Sequence, residues 1–304
     1  MQTIKGLENL PTIEGHSAVA IGNFDGIHLG HQKILERLVQ QASIANLSSI
    51  LLTFSPHPEK TLGESKIKMI QTLEQRLEKI ERFNINIALV IDFDREFSNL
   101  TGRAFIQRVL VNVLKAKRII VGKNFRFGKK REGNVPALER AASRYGFKVH
   151  SVPPLKTGKR IISSSLVRKL IEAGDIERAN RLLGRSYEIS GIVVKGKSRG
   201  KDLGFPTANI KTPNEILPHG VFISKALIDT VTFTSLTHIG ACPTFQEKEA
   251  NIETYIIDFD GDIYKKEIRV FFIKKLREEK RFATAEALSK QIRRDLQKAA
   301  DYFR

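Results

Sequence analysis

Short apolar runs alternate with amphipathic segments through the first half of the chain. Runs rich in β-branched residues occur at 17–24, 48–54, 85–93, 117–123 and 147–152. Between them, apolar residues recur at helical spacing near 31–43, 73–83, 103–115 and 135–145. Strands that alternate with helices are typical of a parallel sheet covered on both faces. We therefore expect an α/β domain with a doubly wound parallel sheet.

The pattern changes in the second half. Ser163 to Tyr187 has helical periodicity, with Gly184 as a suitable stop. Strand-like runs then follow one another without intervening helices, at 187–196, 220–228, 235–241, 251–259 and 268–276. Such a succession predicts a small antiparallel β-barrel. The segment 284–303 predicts an amphipathic C-terminal helix that has Thr284 as its N-cap and packs against the barrel.

Chain length agrees with two domains. The chain has 304 residues, and a single hydrophobic core usually stops growing near about 250–300 residues. The change of pattern divides the chain into 1–186, which includes a helical connector at 163–186, and 187–304. Each part is long enough to bury a core of its own.

Composition excludes several classes of protein. No apolar run approaches the length of a bilayer span, and the first residues lack the pattern of a signal peptide. Cys242 is the single cysteine, so an intrachain disulfide and a zinc site built on cysteines are excluded. We expect a cytoplasmic protein without a membrane partner.

The positive charge is concentrated in one segment. The chain has a net charge of +18, and residues 101–186 alone contain 21 basic and 5 acidic residues. Such a surface attracts polyanions, among them ATP, pyrophosphate and RNA. A solvated basic face with no ligand is the other interpretation.

The most informative motif is AVAIGNFDGIHLGH, at 18–31. Gly22, Gly26 and Gly30 allow the backbone to approach a ligand closely where a strand leads into a helix. His28 and His31 lie three residues apart, on one face of the first helical turn. Helix N-termini attract anions, so this motif predicts a polyphosphate site. Two ordinary polar residues at a helix start are the alternative.

Three further segments fit a nucleotide site in the first domain. SPHP holds His57 between two prolines, which suits a rigid pocket wall. NFRFGKKREG, at 124–133, places two aromatic rings beside basic residues, which suits a planar ring with phosphates. ISSSLVR opens a helix with hydroxyls and Arg168, which predicts a second phosphate contact. N-capping alone would also explain the serines.

The second domain has its own candidate residues. Within GKSRGKDLGFPTANI, at 196–210, Thr207 and Asn209 point to one side of an extended backbone and offer oxygen ligands for Mg²⁺. Glu253 lies on a predicted strand, where a carboxylate is usually a surface residue. The sequence DFDGD, at 258–262, predicts a hairpin connection rather than a metal site.

The ordered motifs resemble one family over the whole chain. They are GNFDGIHLGH, LLTFSPHP, QTLEQRL, FDREF, VGKNFRFGKKREG, VPPL, ISSSLVR, LLGRSYEISGIV, LGFPTANI and IETYIIDFDGDIY. In this order they resemble the bacterial bifunctional riboflavin kinase/FAD synthetase family. The resemblance implies a Rossmann-like nucleotidyltransferase domain that makes FAD from FMN and ATP. It also implies a riboflavin kinase-like barrel that makes FMN from riboflavin and ATP with Mg²⁺.

The resemblance also implies roles for individual residues. In the first domain, catalytic and ATP-binding roles fall on Gly22, Asn23, Phe24, His28, Gly30, His31, Ser164, Ser165 and Arg168, and flavin-binding roles fall on Phe54, Pro56, His57 and Asn124. In the barrel, ATP binding falls on Gly196, Gly200, Lys201, Thr207 and Asn209, Mg²⁺ binding on Thr207 and Asn209, and the general base on Glu253. Small-molecule substrates are the implied partners, and no nucleic acid is expected.

Five positions depart from the family pattern. Asn124 stands where aspartate is common, Ser165 where threonine is frequent, Lys201 where arginine is usual, Cys242 where arginine is often found, and Lys265 where glycine usually follows the tyrosine. Lysine cannot reproduce a bidentate guanidinium contact, and Lys265 removes a flexible turn position. We therefore expect an effect on kinase efficiency rather than on kinase identity.

Two other functions are compatible with parts of the sequence. HLGH also resembles the signature of aminoacyl-tRNA synthetase-like adenylate-forming enzymes, but the second domain has PTAN and no evident KMSKS-like loop. A basic RNA-binding protein on a nucleotide-binding fold would use Phe125 and Phe127 among basic residues. Neither alternative explains both sets of phosphate-binding motifs.

Overall fold

The computed structural model describes residues 1–63, 67–196, 204–240 and 251–303. The strands, numbered in chain order, are β1 (Gln2–Lys5), β2 (Ser17–Ile21), β3 (Ser48–Phe54), β4 (Ile87–Ile91), β5 (Ala116–Gly122), β6 (Arg126–Phe127), β7 (Gly133–Asn134), β8 (Lys148–Val152), β9 (Lys156–Thr157), β10 (Arg160–Ile161), β11 (Tyr187–Val194), β12 (Thr207–Lys211), β13 (Gly220–Ile228), β14 (Val231–Gly240), β15 (Asn251–Ile256) and β16 (Glu267–Arg277).

The helices agree closely with the predicted periodicity. They are α1 (Leu29–Ile44), α2 (Pro58–Thr61), α3 (Leu73–Glu81), α4 (Arg95–Ser98), α5 (Gly102–Ala104), α6 (Val135–Tyr145), α7 (Ser164–Glu172), α8 (Ile176–Leu183) and α9 (Ala285–Phe303). A π-helix, Phe105–Val113, continues α5, and a 3₁₀ turn covers Lys129–Arg131. No helix in the described ranges is long and apolar enough to cross a membrane.

The chain forms two compact units, Met1–Ser164 and Ser165–Arg304. Helix α8 packs with the second unit, because the Asn180 amide donates to the Phe272 carbonyl at 2.8 Å and accepts from the Tyr187 amide at 2.7 Å. Gly184 ends α8 with a left-handed φ of 69°, as predicted. The domain boundary at residue 186 stays a prediction from the sequence.

The first unit is built on a six-stranded parallel sheet with the order β1-β4-β3-β2-β5-β8. Both faces are covered, which confirms the doubly wound fold: Val19 and Ile21 pack with the π-helix and α6, whereas Ala18 and Ala20 pack with α1 and α3. Strand order reverses between β2 and β5. Ligands of open α/β sheets bind at such a point, beyond the carboxyl ends of the strands. The loops after β2 and β5 flank it here.

The second unit contains the predicted barrel, closed in the order β11-β12-β15-β14-β13-β16, with every pair antiparallel. Helix α9 covers the outside through Ala299, which packs with Ile223 and Leu236. The Ala287 amide donates to Thr284 Oγ1 at 3.2 Å, so the predicted N-cap is confirmed.

A chain of hydroxyl groups crosses the barrel interior. Ser224 Oγ lies 2.8 Å from both Ser235 Oγ and Thr237 Oγ1, and Thr237 Oγ1 lies 3.0 Å from Thr254 Oγ1. All four residues are fully buried. Because each hydroxyl has a partner, this polar row is compatible with an otherwise apolar interior.

Several features differ from the sequence-based expectation. Strands β6, β7, β9, β10 and β12 and helices α2 and α4 were not among the predicted runs. Strand β1 was not predicted, because four residues give little periodicity. The chain turns at 258–262, where the Tyr264 amide donates to Asp262 Oδ1 at 2.9 Å. The predicted hairpin is wrong, because the strands on either side of the turn do not pair with each other. Strand β15 pairs with β12 and β14, whereas β16 pairs with β11 and β13. Turn chemistry specifies a reversal of the chain, and barrel closure decides which strands pair.

Candidate functional site

The loop after β2 has an unusual backbone. Phe24, Gly26 and Ile27 all have positive φ, at 51°, 83° and 39°. For the two residues other than glycine this costs of order 1–3 kcal/mol each, and the surrounding structure must compensate. Both side chains are buried. Burial therefore holds the loop in a shape that presents its backbone toward the start of α1.

Helix α1 begins with two stacked imidazole rings. His28 is the N-cap residue, and its Nδ1 accepts a hydrogen bond from the His31 amide at 3.3 Å. The ring centroids of His28 and His31 are 3.7 Å apart, with 14° between the planes. A Cβ on Gly30 would lie 3.1 Å from the His28 ring, so glycine leaves room for it. The predicted placement of both rings is observed; their role toward phosphate stays a prediction.

A buried arginine holds this loop to the next one. Arg76 Nη1 donates to the Asn23 carbonyl at 2.6 Å, and Nη2 donates to the Phe54 carbonyl at 3.0 Å. Thr53 Oγ1 also donates to the Asn23 carbonyl, at 3.2 Å. Burial lowers the pKa of Arg76, and the negative charges of Asp25 and Glu74 oppose that shift.

The sequence motifs assigned no role to Arg76, although the helix pattern contained a signal for one. Leu73, Arg76, Leu77 and Ile80 follow the i, i+3, i+4, i+7 spacing of a helix face that packs on the core. A cation on such a face must find partners when it is buried. That conflict marks Arg76 as a residue with a specific role.

Ser164 also contacts the loop after β2. Its Oγ donates to the Asp25 carbonyl at 2.9 Å. The Asp25 carboxylate accepts from the Ile70 amide at 3.1 and 3.2 Å. One of the predicted phosphate-binding serines is thus placed beside the glycine-rich loop. Ser165 and Arg168 follow in α7, within the second unit.

The predicted flavin-side residues follow β3 and β5. His57 is buried, accepts from the Glu59 amide through Nδ1 at 3.2 Å, and has Nε2 2.8 Å from the Asn23 amide group. Phe54 packs against the rings of Phe93 and Phe97, at 5.5 and 5.9 Å. The loop after β3 is therefore apolar on one side and bound to Asn23 on the other.

The remaining two flavin-side residues are more open. Pro56 is exposed. Asn124 lies beyond β5 and lines a cavity of about 290 Å³ together with Lys123, Phe125, Arg126, Asn134, Val135 and Pro136. An aromatic ring beside two cations suits a flat, anionic ligand.

The barrel brings its candidate residues into one row. Asn209 pairs with Glu253 and Thr207 with Tyr255 in the register of β12 and β15. Residues directly opposite each other in antiparallel strands share a face of the sheet, so Thr207, Asn209 and Glu253 are neighbours. The Asn251 amide donates to Glu253 Oε1 at 2.8 Å.

His238 extends this row and was missed in the sequence. It lies directly opposite Glu253 on β14, and its Nε2 is 3.5 Å from Glu279 Oε1. No sequence motif indicates this contact, because it depends on strand register. A histidine therefore lies beside the candidate base on the neighbouring strand.

Only some of the other predicted kinase residues lie in the part of the chain that the structure describes. A Cβ on Gly196 would overlap the Asn209 side-chain amide, so the backbone there approaches the candidate metal ligand closely. Gly200, Lys201 and Cys242 lie outside the described residues. Lys265 has a φ of 65°, the backbone conformation that glycine adopts most readily.

The donors on β12 fit Mg²⁺. Thr207 and Asn209 offer a hydroxyl and an amide oxygen on one face, and Mg²⁺ binds oxygen ligands with retained waters and substrate phosphates. Within the described ranges no group of three or more His, Cys, Asp or Glu could hold a metal ion.

Comparison with known proteins identifies the family. The FAD synthetase model matches residues 10–166, and the riboflavin kinase model matches residues 183–303. A curated relative from Buchnera aphidicola subsp. Schizaphis graminum, a bifunctional riboflavin kinase/FMN adenylyltransferase, is 37% identical over 309 aligned residues, which cover 100% of this chain and 99% of the relative. This chain belongs to the bifunctional riboflavin kinase/FMN adenylyltransferase family. The resemblance seen in the motifs is confirmed.

Other members of the bifunctional family match over the same length. Those from Haemophilus influenzae and Escherichia coli K12 are each 34% identical, covering 100% of this chain and 99% and 98% of the relatives. A solved structure, described as a macrolide-efflux protein from Streptococcus pneumoniae, has 27% identity and a TM-score of 0.89 over 98% of both chains. It shares the fold along the whole chain. The matches support two enzymatic halves rather than the adenylate-forming or RNA-binding alternatives.

Proposed function

We propose that this chain phosphorylates riboflavin to FMN on the barrel and adenylylates FMN to FAD on the parallel sheet, with one ATP consumed in each step. The observation that supports the site assignment most directly is the register that makes Thr207, Asn209 and Glu253 neighbours on one barrel face. A kinase needs its general base close to the groups that bind phosphate and metal. The register meets this requirement, although the residues are far apart in the sequence.

In the kinase step, Glu253 accepts the proton of the ribityl 5′-hydroxyl while that oxygen attacks the γ-phosphorus of ATP. The new oxygen–phosphorus bond forms as the bond to the ADP oxygen breaks. Thr207 and Asn209 are the residues that would hold Mg²⁺, which supplies neutralisation of phosphate charge when bound. Gly196, Gly200 and Lys201 are assigned to ATP.

In the adenylylation step, a phosphate oxygen of FMN attacks the α-phosphorus of ATP, and pyrophosphate leaves. The nucleophile is already ionised, so positioning and charge stabilisation are the main requirements. Those roles are assigned to His28, His31, Ser164 and Arg168. Ser165 is assigned to the same phosphate contact.

The remaining assignments of this step divide between the two substrates. On the ATP side, Gly22, Asn23 and Phe24 lie in the loop after β2, the ATP-side loop, and Gly30 lies in the first turn of α1. The flavin side consists of Phe54, Pro56, His57 and Asn124.

A product analysis tests both steps. The purified chain is incubated with ATP, Mg²⁺ and either riboflavin or FMN, and flavins are separated by chromatography. We expect FMN followed by FAD from riboflavin, FAD with pyrophosphate from FMN, and no product when a chelator removes Mg²⁺. Flavin turnover that needs added RNA, or ATP consumed without a flavin product, would contradict the proposal. We expect cytoplasmic activity on small molecules without a nucleic-acid partner.

A further inference from the structure

Arg76 joins two loops that the proposed function assigns to different substrates. Asn23 lies in the ATP-side loop after β2, whereas Phe54 ends β3 and begins the flavin-side loop. The Arg76 guanidinium donates to the carbonyls of both residues, at 2.6 and 3.0 Å. We propose that Arg76 is a positioning residue that couples the two substrates, so that binding of ATP raises the affinity for FMN and the reverse. The proposal rests on the proposed function.

The geometry of the guanidinium makes this a rigid link. Its nitrogens lie in one plane and donate in fixed directions, so two carbonyls bound to one guanidinium are fixed relative to each other. Arg76 has 3% of its surface exposed, so water offers little competition for these contacts. A lysine ammonium at this position would keep the charge but would lose the planar pair of donors.

A second contact supports the same connection. The Asn23 amide group lies 2.8 Å from His57 Nε2, so side chains also join the two loops. Thr53 Oγ1 reaches the Asn23 carbonyl from the end of β3. The ATP-side loop is therefore bound to β3 and its following loop through both its backbone and a side chain.

Coupling follows from the strained backbone of the ATP-side loop. Phe24 and Ile27 have positive φ, so the loop needs its surroundings to keep its shape. A substrate that orders one loop also restricts the other through Arg76. The second substrate then loses less conformational freedom on binding, which gives positive cooperativity. Couplings of this kind typically change affinity about 5–150-fold.

Initial rates measure the coupling in the full chain. FAD formation is followed over a grid of ATP and FMN concentrations, without riboflavin. The coupling factor is the KM for FMN at low ATP divided by its KM at saturating ATP. We expect a factor of at least about fivefold in the unchanged protein and a factor near one in Arg76→Lys and Arg76→Met. Riboflavin phosphorylation by both variants should stay unchanged.

Lys115→Met is the matched control for simple destabilisation. Lys115 Nζ donates to the Ile13 carbonyl at 2.8 Å, beside the amino end of β5 and away from the carboxyl edge. This variant should lower the thermal midpoint but keep the coupling factor. If Arg76→Met fails to fold, Arg76→Lys carries the test.

The measurements distinguish failure of the coupling proposal from failure of the site assignment. A factor of one in the unchanged protein, a factor that Arg76→Lys retains, or an equal loss of the factor in Lys115→Met would overturn the proposal. Failure of the site assignment is seen separately. In that case His28→Ala/His31→Ala would leave FAD formation intact whatever Arg76 does.

Discussion

At the start of α1, a single glycine eases the packing of two imidazole rings. Gly30 lets the His28 ring lie against the first turn, where it stacks on His31. Lys265 shows the opposite case, since a full side chain occupies a left-handed position. The motif resemblance implies that glycine is usual there. At Gly30 the residue type accommodates the local geometry, whereas at Lys265 the surrounding fold imposes it.

Substitution at the two sites should separate the activities. His28→Ala/His31→Ala removes groups assigned to the phosphates of ATP and should lower FAD formation from FMN by about 100-fold or more, because one preorganised donor is typically worth about 100–1,000-fold. FMN formation should continue. Glu253→Gln keeps the shape of the side chain but not the base, so it should reverse the pattern. Chromatography of the flavins checks both variants.

Independent sites would be contradicted if either variant lost both activities while remaining folded. Circular dichroism provides the folding control for each protein.

Lys265→Gly should stabilise the barrel. A left-handed residue other than glycine costs about 1–2 kcal/mol, and the greater freedom of glycine in the unfolded chain offsets about 0.5–1 kcal/mol. We expect a net gain of up to about 1 kcal/mol in urea unfolding. Lys266→Gly is the control, because Lys266 is not among the described residues with positive φ and pairs with Asp229 at 3.0 Å. It should destabilise the barrel instead.

At the scale of elements, hydrophobic periodicity predicted the bounds of several strands well, but the sequence did not predict which strands pair. Strands β3 and β13 begin and end where the apolar runs at 48–54 and 220–228 do. The short edge strand β1 and the partner of β15 could not be read from the sequence, because both depend on contacts between distant residues. The role of Arg76 could have been predicted, because a cation among the apolar residues of a core-facing helix face needs specific partners.

Strand β8 should make the first unit sensitive to acid. Burial lowers the pKa of His150 below its ordinary value of 6.5, and Arg37, Arg118 and Lys148 lower it further. The unfolded chain therefore binds a proton that the folded chain does not. Stability from this residue is complete above about pH 6.5 and is lost as the pH falls toward the lowered pKa.

His150→Gln should flatten this dependence, because glutamine takes up no proton. Thermal midpoints between pH 8 and pH 5 measure the effect. The exposed His16, as His16→Gln, is the control and should leave the slope unchanged. Parallel slopes in the two variants would show that His150 has no part in the acid sensitivity.

The hydroxyl chain inside the barrel should be cooperative. Thr237→Val keeps the volume but removes the hydrogen bonds to Ser224 and Thr254. Leaving buried hydroxyls without these bonds should cost about 1–3 kcal/mol. Thr237→Val/Thr254→Val should cost less than the sum of the single variants, because it removes both partners of one bond. Urea unfolding of the three proteins tests this, and additive costs would argue against a connected chain.

For the molecule as a whole, the sequence predicted candidate site residues but not the contacts between them. Asn209, Glu253 and His238 come from three strands and become neighbours only when β12 and β14 pair with β15. The order of motifs along the chain was sufficient for the family, because ten segments in one order leave little room for coincidence. The contacts of His238 and Arg76 required the fold.

Closure of the barrel also bears on how the protein behaves at high concentration. Every described barrel strand has two neighbours, so the described part of the barrel has no edge strand to offer to another molecule. The parallel sheet does have edges, at β1 and β8. One is only four residues long, and the other carries the exposed cation of Lys148. Short or charged edges discourage edge-to-edge aggregation, so self-association through added strands is disfavoured along both sheets.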